Sequence, residues 1–486
     1  MSETTADCAA GRVSINILPD DILLLIFHFD RVTYIDGLAA VDYGRRLLWR
    51  WHRLVHVCQR WRSIVFASPK FLDLALVCGP STPMELIDIW PPFPIIIRDR
   101  DYIPIPKDYD FQAAFAHPNR VLCQIDIRHI SSLLLQQLAS VLQERFPALI
   151  HFRFGAAYFF EFPPQALPDG FLGGSSPRLQ SLELNSISFT ALPKFLLSTN
   201  DLVLLSLRNV LYSGHVAPGA IIPSLVVLAN LKYLIIGFSV RQPHPDQEGQ
   251  RPPPPTRAVL SALTLFKFQG PSKYLDVFVA RIDAPLLDSF SITFIDHRIF
   301  EISQLAQFMR RTTRIQTLNE AHVDFDYYDV QVEFRPPTLT LDEKSGLTIK
   351  FRAVNSHLSD VVHVFTLLYT SIFTVEHLYM YGPRSFLRQW QDPIQWLDFF
   401  QPFTAVKILY LVKELAQHIA PTLQGLVGER ATDVFPALEG LYLEEFRPPR
   451  HVRKAIRRFI AARQLLGRLV AVSRWKTDLT LMSGVT

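Results

Sequence analysis

The chain has 486 residues, 49% of them hydrophobic and 19% charged, a balance too apolar for a disordered or acidic-tail protein. Its length allows about three domains of roughly 150 residues or one long repetitive unit. The net charge of +4 is local: ten Lys or Arg and no Asp or Glu lie between Arg447 and Lys476, so the remainder sums to 4 − 10 = −6.

The opening residues, MSETTADCAAGRVSIN, lack a basic segment followed by an apolar core and do not read as a secretory leader. Residues 17–29, ILPDDILLLIFHF, predict a short amphipathic helix. Pro19 suits the first turn, Asp20 and Asp21 lie near the positive end of the helix dipole, and Ile22, Leu23, Ile26 and Phe27 recur at helical spacing. A second helical stretch is expected through Leu47, Trp51, Leu54, Cys58, Trp61 and Val65, ended by Pro69. Two helices in about 50 residues cannot hide this many large apolar side chains, so an exposed apolar surface and a partner are implied.

LPDDILLLIFHF followed by LVHVCQRWRSIVFASPKFLDL resembles the F-box motif: Leu-Pro, an acidic residue, an Ile-Leu pair, Ile-Phe, then Val-Cys-x-x-Trp-Arg. The resemblance covers residues 15–75 and is similar to a large family of fungal F-box proteins. It differs in the segment from Asp30 to Arg50, which is longer than the usual connection. The resemblance implies that Leu18, Pro19, Ile22, Leu23, Ile26, Val57, Cys58 and Trp61 pack partly within their own bundle and partly against a Skp-type adaptor, through which a cullin is engaged.

Beyond residue 75 the pattern L-x-x-L-x-L, with aliphatics or Phe allowed, starts at Leu122, Leu149, Leu179, Leu202, Leu231, Leu260, Leu287, Ile315, Val375, Val406 and Leu438. Successive spacings are 27, 30, 23, 29, 29, 27, 28, 60, 31 and 32; the Ile315 copy is incomplete at Glu320, and the gap of 60 has room for one degenerate repeat. Each copy reads as a short strand, often followed by a helix, as in SSLLLQQLASVLQERF. The expected fold is therefore α/β: a helical F-box, then an irregular leucine-rich-repeat-like solenoid with a parallel sheet over residues 76–486. The position that holds a buried Asn in regular repeats carries Ile187, Val210, Ser239, Phe268 and Ile295, so carbonyls there need other partners. Residues 320–352 alternate as a β-hairpin or sheet insertion, 243–256 (PHPDQEGQRPPPPT) reads as a mobile polyproline-like loop, and 450–476 as a closing helix and strand.

In L-x-x-L-x-L the fourth and sixth residues face the core, so the fifth lines the solvent-facing, concave side. That register aligns Tyr379, Tyr410 and Tyr442, with Tyr381 and Glu444 beside them, as a candidate target-binding surface. No uninterrupted apolar run reaches the roughly 18 residues of a membrane span. No catalytic or phosphate-binding motif is present, GFLGGSS at 170–176 reads as a turn, and the scattered histidines and Cys8, Cys58, Cys78 and Cys123 form no metal-ligand spacing and no C-x-x-C pair. The expectation is a non-catalytic receptor subunit of a ubiquitin ligase, without cofactor or metal, in the cytoplasm and/or nucleus, bridging the adaptor and an unknown target protein. A scaffold acting with the adaptor outside ubiquitination is the first alternative. A nucleic-acid-associated repeat protein using the basic C-terminal helix is the second, disfavoured because a final helix with a solvated basic face accounts for the same charges.

Overall fold

The computed structural model describes residues 15–32, 50–69, 71–72, 74–79, 93–98, 115, 121–156, 166–210, 216–239, 257–295, 302–315, 318–326, 329–336, 346–352, 358–367, 375–382, 393–426, 428–444 and 449–475. The Pro-rich 243–256 segment and Cys8 lie outside them. The protein is α/β with a large, mostly parallel sheet. It divides into two compact units, residues 1–129 with 148–151 and residues 130–147 with 152–486.

The first unit begins with α1 (Asp20–Val32), α2 (Arg50–Val55) and α3 (Gln59–Ala67), followed by parallel strands β1 (Leu76–Cys78), β2 (Pro94–Arg98) and β3 (Val121–Ile130). Leu23, Phe27, Val55, Ile64, Val65, Leu72 and Leu74 form its helical core, with Trp61 packed on Phe27 at 4.7 Å. The expected single helix through Leu47–Val65 is instead two. Cys58 leaves helical geometry (φ −159°, ψ 169°) and its Sγ accepts from the Trp61 N–H at 3.4 Å, capping α3 and breaking the ladder between the two helices. Apolar spacing alone cannot report such a break, because Leu54, Cys58 and Trp61 keep helical intervals across it.

The second unit contains α4 (Ser132–Leu138), β4 (His151–Ala156), β5 (Ser181–Asn185), α5 (Leu192–Leu196), β6 (Leu204–Val210), α6 (Pro218–Val226) and β7 (Tyr233–Phe238). Then come β8 (Ala258–Val259), β9 (Leu265–Gly270), α7 (Ser272–Val279), β10 (Ile282–Asp283), β11 (Ser289–Phe294) and α8 (Ser303–Arg311). The remainder is β12 (Glu320–Phe325), β13 (Asp329–Arg335), β14 (Gly346–Arg352), α9 (Leu358–Leu367), β15 (His377–Tyr381), α10 (Pro393–Phe400), β16 (Ile408–Leu411), α11 (Lys413–Gln424), β17 (Gly440–Glu444), α12 (Arg450–Leu465) and β18 (Ala471–Trp475). Its strands lie in the order β4-β5-β6-β7-β9-β11-β14-β13-β12-β15-β16-β17-β18, while β8 and β10 pair separately.

Alternation within each strand sends one side-chain row into the core. On β9 and β11 the inward rings Phe266 and Phe290 stack at 5.2 Å, and Phe308 of α8 meets Phe290 edge-on at 5.8 Å. Before the first leucine of successive copies the chain makes a tight turn, with the Leu202 N–H donating to Thr199 O, Leu231 to Leu228, Leu263 to Leu260, Leu287 to Ala284 and Leu438 to Phe435. The residue at the head of this turn is often apolar and buried, and it explains two register errors. The copies expected from Leu260 and Ile315 run instead from Leu263 and Leu318: Phe266 and Phe268 face inward in β9, as Ala321 and Val323 do in β12. Leu260 and Ile315 are themselves buried and imitate the repeat start three residues early. Phe268 is thus an inward strand residue, not an occupant of the Asn-ladder position.

The gap of 60 residues is filled not by one degenerate repeat but by an antiparallel insertion. β12 pairs antiparallel with β13 and β13 with β14, while β14 runs parallel to β11 and β12 parallel to β15. The hairpin reading of 320–352 anticipates this pairing. At 171–174 the predicted turn is a tight one, with Leu172, Gly173 and Gly174 all in the left-handed region. At Gly173, with φ +65°, a Cβ would lie 2.5 Å from Arg145 Cγ, so that position favours glycine.

Candidate functional site

The residues expected to face the adaptor differ in how far the first unit buries them. Leu23 is buried, Leu18 and Trp61 are half-buried against the same core, and Cys58 is the α3 cap. Ile22, Ile26 and Val57 are 39%, 41% and 59% exposed, Leu25 and Phe29 share that exposure, and Pro19 is exposed at the head of α1. The head of α1 is held by Arg60 of α3, whose guanidinium donates to Asp20 Oδ1 and, at 2.6 Å, to Leu18 O. That clamp is partly exposed, so it orients α1 more than it stabilises the unit.

On the second unit the outward row of β12 and β15–β17 is aromatic. Register aligns His322, Tyr379, Tyr410 and Tyr442, and their rings stack face to face in sequence, with centroids 4.4, 4.1 and 4.9 Å apart. Trp475 of β18 leans edge-on over Tyr410 at 5.3 Å, with Tyr379 and Tyr381 at 6.2 and 6.3 Å. Parallel strands about 4.8 Å apart impose this stacking on aromatics that occupy one register row. Tyr381 sits one pleat along, its hydroxyl 3.3 Å from His322 Nδ1. Glu444 is directed elsewhere: its Oε2 accepts from the Lys413 N–H at 2.9 Å and so caps α11 from the neighbouring strand.

Burial opposes ionisation of Tyr379 and Tyr381. Burial pushes the Tyr381 hydroxyl up to about 12, and burial, reinforced by Tyr410 and Glu320, raises Tyr379 further. Below pH 10 Tyr379 and Tyr381 are therefore neutral π surfaces with hydroxyls able to donate and accept. Around them, His322 holds the Glu320 carboxyl below its usual range, whereas burial and neighbouring Asp326 raise Asp324. His322 and Trp475 are the members of this site that the repeat pattern does not find. The register error at Ile315 hides His322, and Trp475 follows the last L-x-x-L-x-L copy, which starts at Leu438.

Among the described residues no His, Cys, Asp or Glu side chains converge in a set of three able to hold a metal, and no helix is long and apolar enough to cross a membrane. No known family model matches the chain, and no curated protein matches it significantly.

Proposed function

We propose that this chain is the substrate-recognition subunit of a Skp/cullin/F-box ubiquitin ligase. In this reading residues 15–75 are an F-box that docks on a Skp-type adaptor and through it a cullin, and residues 76–486 are an irregular leucine-rich-repeat-like solenoid that holds a target protein. The observation that carries the docking half is the outward exposure of Ile22 and Ile26 on α1, whose other face already fills a core, and of Val57 in the turn between α2 and α3. Full burial of such a side chain is worth roughly 1.5–3 kcal/mol, so covering the 39–59% still exposed contributes about half of that for each, and several together can anchor an interface. Support for the repeat half comes from the near-sequential strand order and the recurring turn before each first leucine. The stacked row His322, Tyr379, Tyr410 and Tyr442, with Tyr381 alongside, is the proposed target surface, since stiff amphipathic rings bind at low entropic cost. The chain then contributes proximity and orientation in the cytoplasm and/or nucleus, with no acid, base or nucleophile of its own.

The test is recovery of purified Skp adaptor on the tagged full chain. An Ile22→Glu/Ile26→Glu double variant should retain its circular dichroism and lose at least about tenfold of the adaptor. Leu18→Ala/Pro19→Ala is a milder second variant. Equal recovery by wild type and both variants would refute the docking half, while adaptor captured from cells without cullin would favour the scaffold reading.

A further inference from the structure

Strand β18 ends the sheet order, and among the described residues no strand pairs with its outer edge. The Ala471 N–H donates to Glu439 O at 2.8 Å, so alternation along a parallel pair turns the N–H and C=O groups of Val472 and Arg474 away from β17. These are free strand-pairing groups. They are also solvent-accessible, since Ala471 through Arg474 are all exposed, although Val472 occupies the same row as the buried Leu441 and Leu409 of the neighbouring strands. Beside the edge, Leu465, Leu469 and Val472 are 88%, 74% and 47% exposed, and Leu466 is exposed as well. The last unit of a stacked array ordinarily turns a polar face outward; the last of the described strands turns out aliphatic side chains and, among the described residues, an unpaired edge.

Charge decides what fits there. Arg468, next to Leu469, and Arg474, on the same strand as Val472, are exposed and belong to the 447–476 stretch of ten cations and no acids. Glu444, on the adjacent strand, is already engaged at the α11 N-terminus. A second copy of this chain would bring the same cations against themselves, and like charges on edge strands oppose pairing. We infer that the β18 edge binds an extended, acidic and apolar peptide segment of another protein, which adds to the sheet as a further strand. Its backbone would pair with Val472 and Arg474, its apolar side chains would cover Val472, Leu469 and Leu465, and its carboxylates would meet Arg468 and Arg474. This site is the outer edge of β18, the strand whose Trp475 leans over the aromatic row, and it does not depend on adaptor docking.

The probe is a fluorescein-labelled ten-residue peptide alternating Asp or Glu with Val or Ile, titrated with the purified full chain in the absence of adaptor and read by fluorescence anisotropy. Saturable binding that weakens with salt is expected. Arg468→Glu/Arg474→Glu should weaken it at least about tenfold. Val472→Pro, which removes an edge donor without removing a bond to β17, should do the same. A probe N-methylated at alternate residues should not bind, which tests strand addition even if the proline variant folds poorly. Any of four results would overturn the inference: no binding of the probe, equal binding of the N-methylated probe, duplex DNA or anionic vesicles displacing the probe with dependence on the arginines but not on strand pairing, or a concentration-dependent dimer that Val472→Pro abolishes.

Discussion

Helices α1 and α8 begin from similar apolar spacing and end differently. In α8 the buried Leu305, Ala306, Phe308 and Met309 lie on one stripe, and Ser303, Gln307 and Arg310 face water. In α1 the stripe is Leu23 and Phe27, but Ile22, Leu25, Ile26 and Phe29 continue around the helix and remain exposed. A helix apolar on one stripe is satisfied by one neighbour, whereas one apolar nearly all round needs a second covering surface. The contrast therefore separates side chains that hold this molecule together from side chains available to another.

Substitutions can break or sharpen that contrast. Phe308→Ala removes a buried ring packed on Phe290 and should cost about 3–5 kcal/mol, read as a lower denaturant midpoint for the second unit. Leu23→Ala opens the smaller helical core and should cost about 2–4 kcal/mol, read in the hydrogen exchange of α1 and α3. Tyr410→Ala interrupts the outward stack between Tyr379 and Tyr442 and should cost about 1–2 kcal/mol. A cost comparable to that of Phe308→Ala would mean that the aromatic row is a second core and not a surface.

A smaller effect is expected from Tyr381→Phe, and it depends on pH. The wild-type hydroxyl ionises at about 12 when folded and near 10.0 ordinarily, so its neutral form is favoured by folding. The associated stability is fully present below pH 10 and is lost as pH rises through 12. Tyr381→Phe should flatten the alkaline unfolding curve in that window and delete one late-titrating component from the tyrosinate absorbance. Smallest of all is Ile26→Ala, which should change the unfolding midpoint by less than about 0.5 kcal/mol while reducing adaptor recovery. If Ile26→Ala destabilised the free chain as Leu23→Ala does, the division between inward and outward faces of α1 would fail.

Much of this was legible in the amino-acid order because it is periodic. The alternation in Leu179, Leu182 and Leu184 and in Leu438, Leu441 and Leu443 marks inward positions of β5 and β17, and the same register aligns Tyr379, Tyr410 and Tyr442 on the opposite face. Periodicity was misleading where a buried residue outside the strand imitates its start, as Leu260 and Ile315 do. It was silent where a backbone change leaves side-chain spacing intact, as at Cys58.

From sequence alone follow the α/β alternation, the mostly parallel pairing, the surplus of apolar side chains on the first helices and the concentration of cations after Arg447, all consequences of local pattern and composition. Only the tertiary structure decided that β13 and β14 enter between β11 and β12, that His322 continues the tyrosine row, that Glu444 caps α11, and that β18 ends the strand order among the described residues. Those outcomes depend on which strands and helix ends become neighbours across many residues, and spacing along the chain carries no information about contacts of that kind.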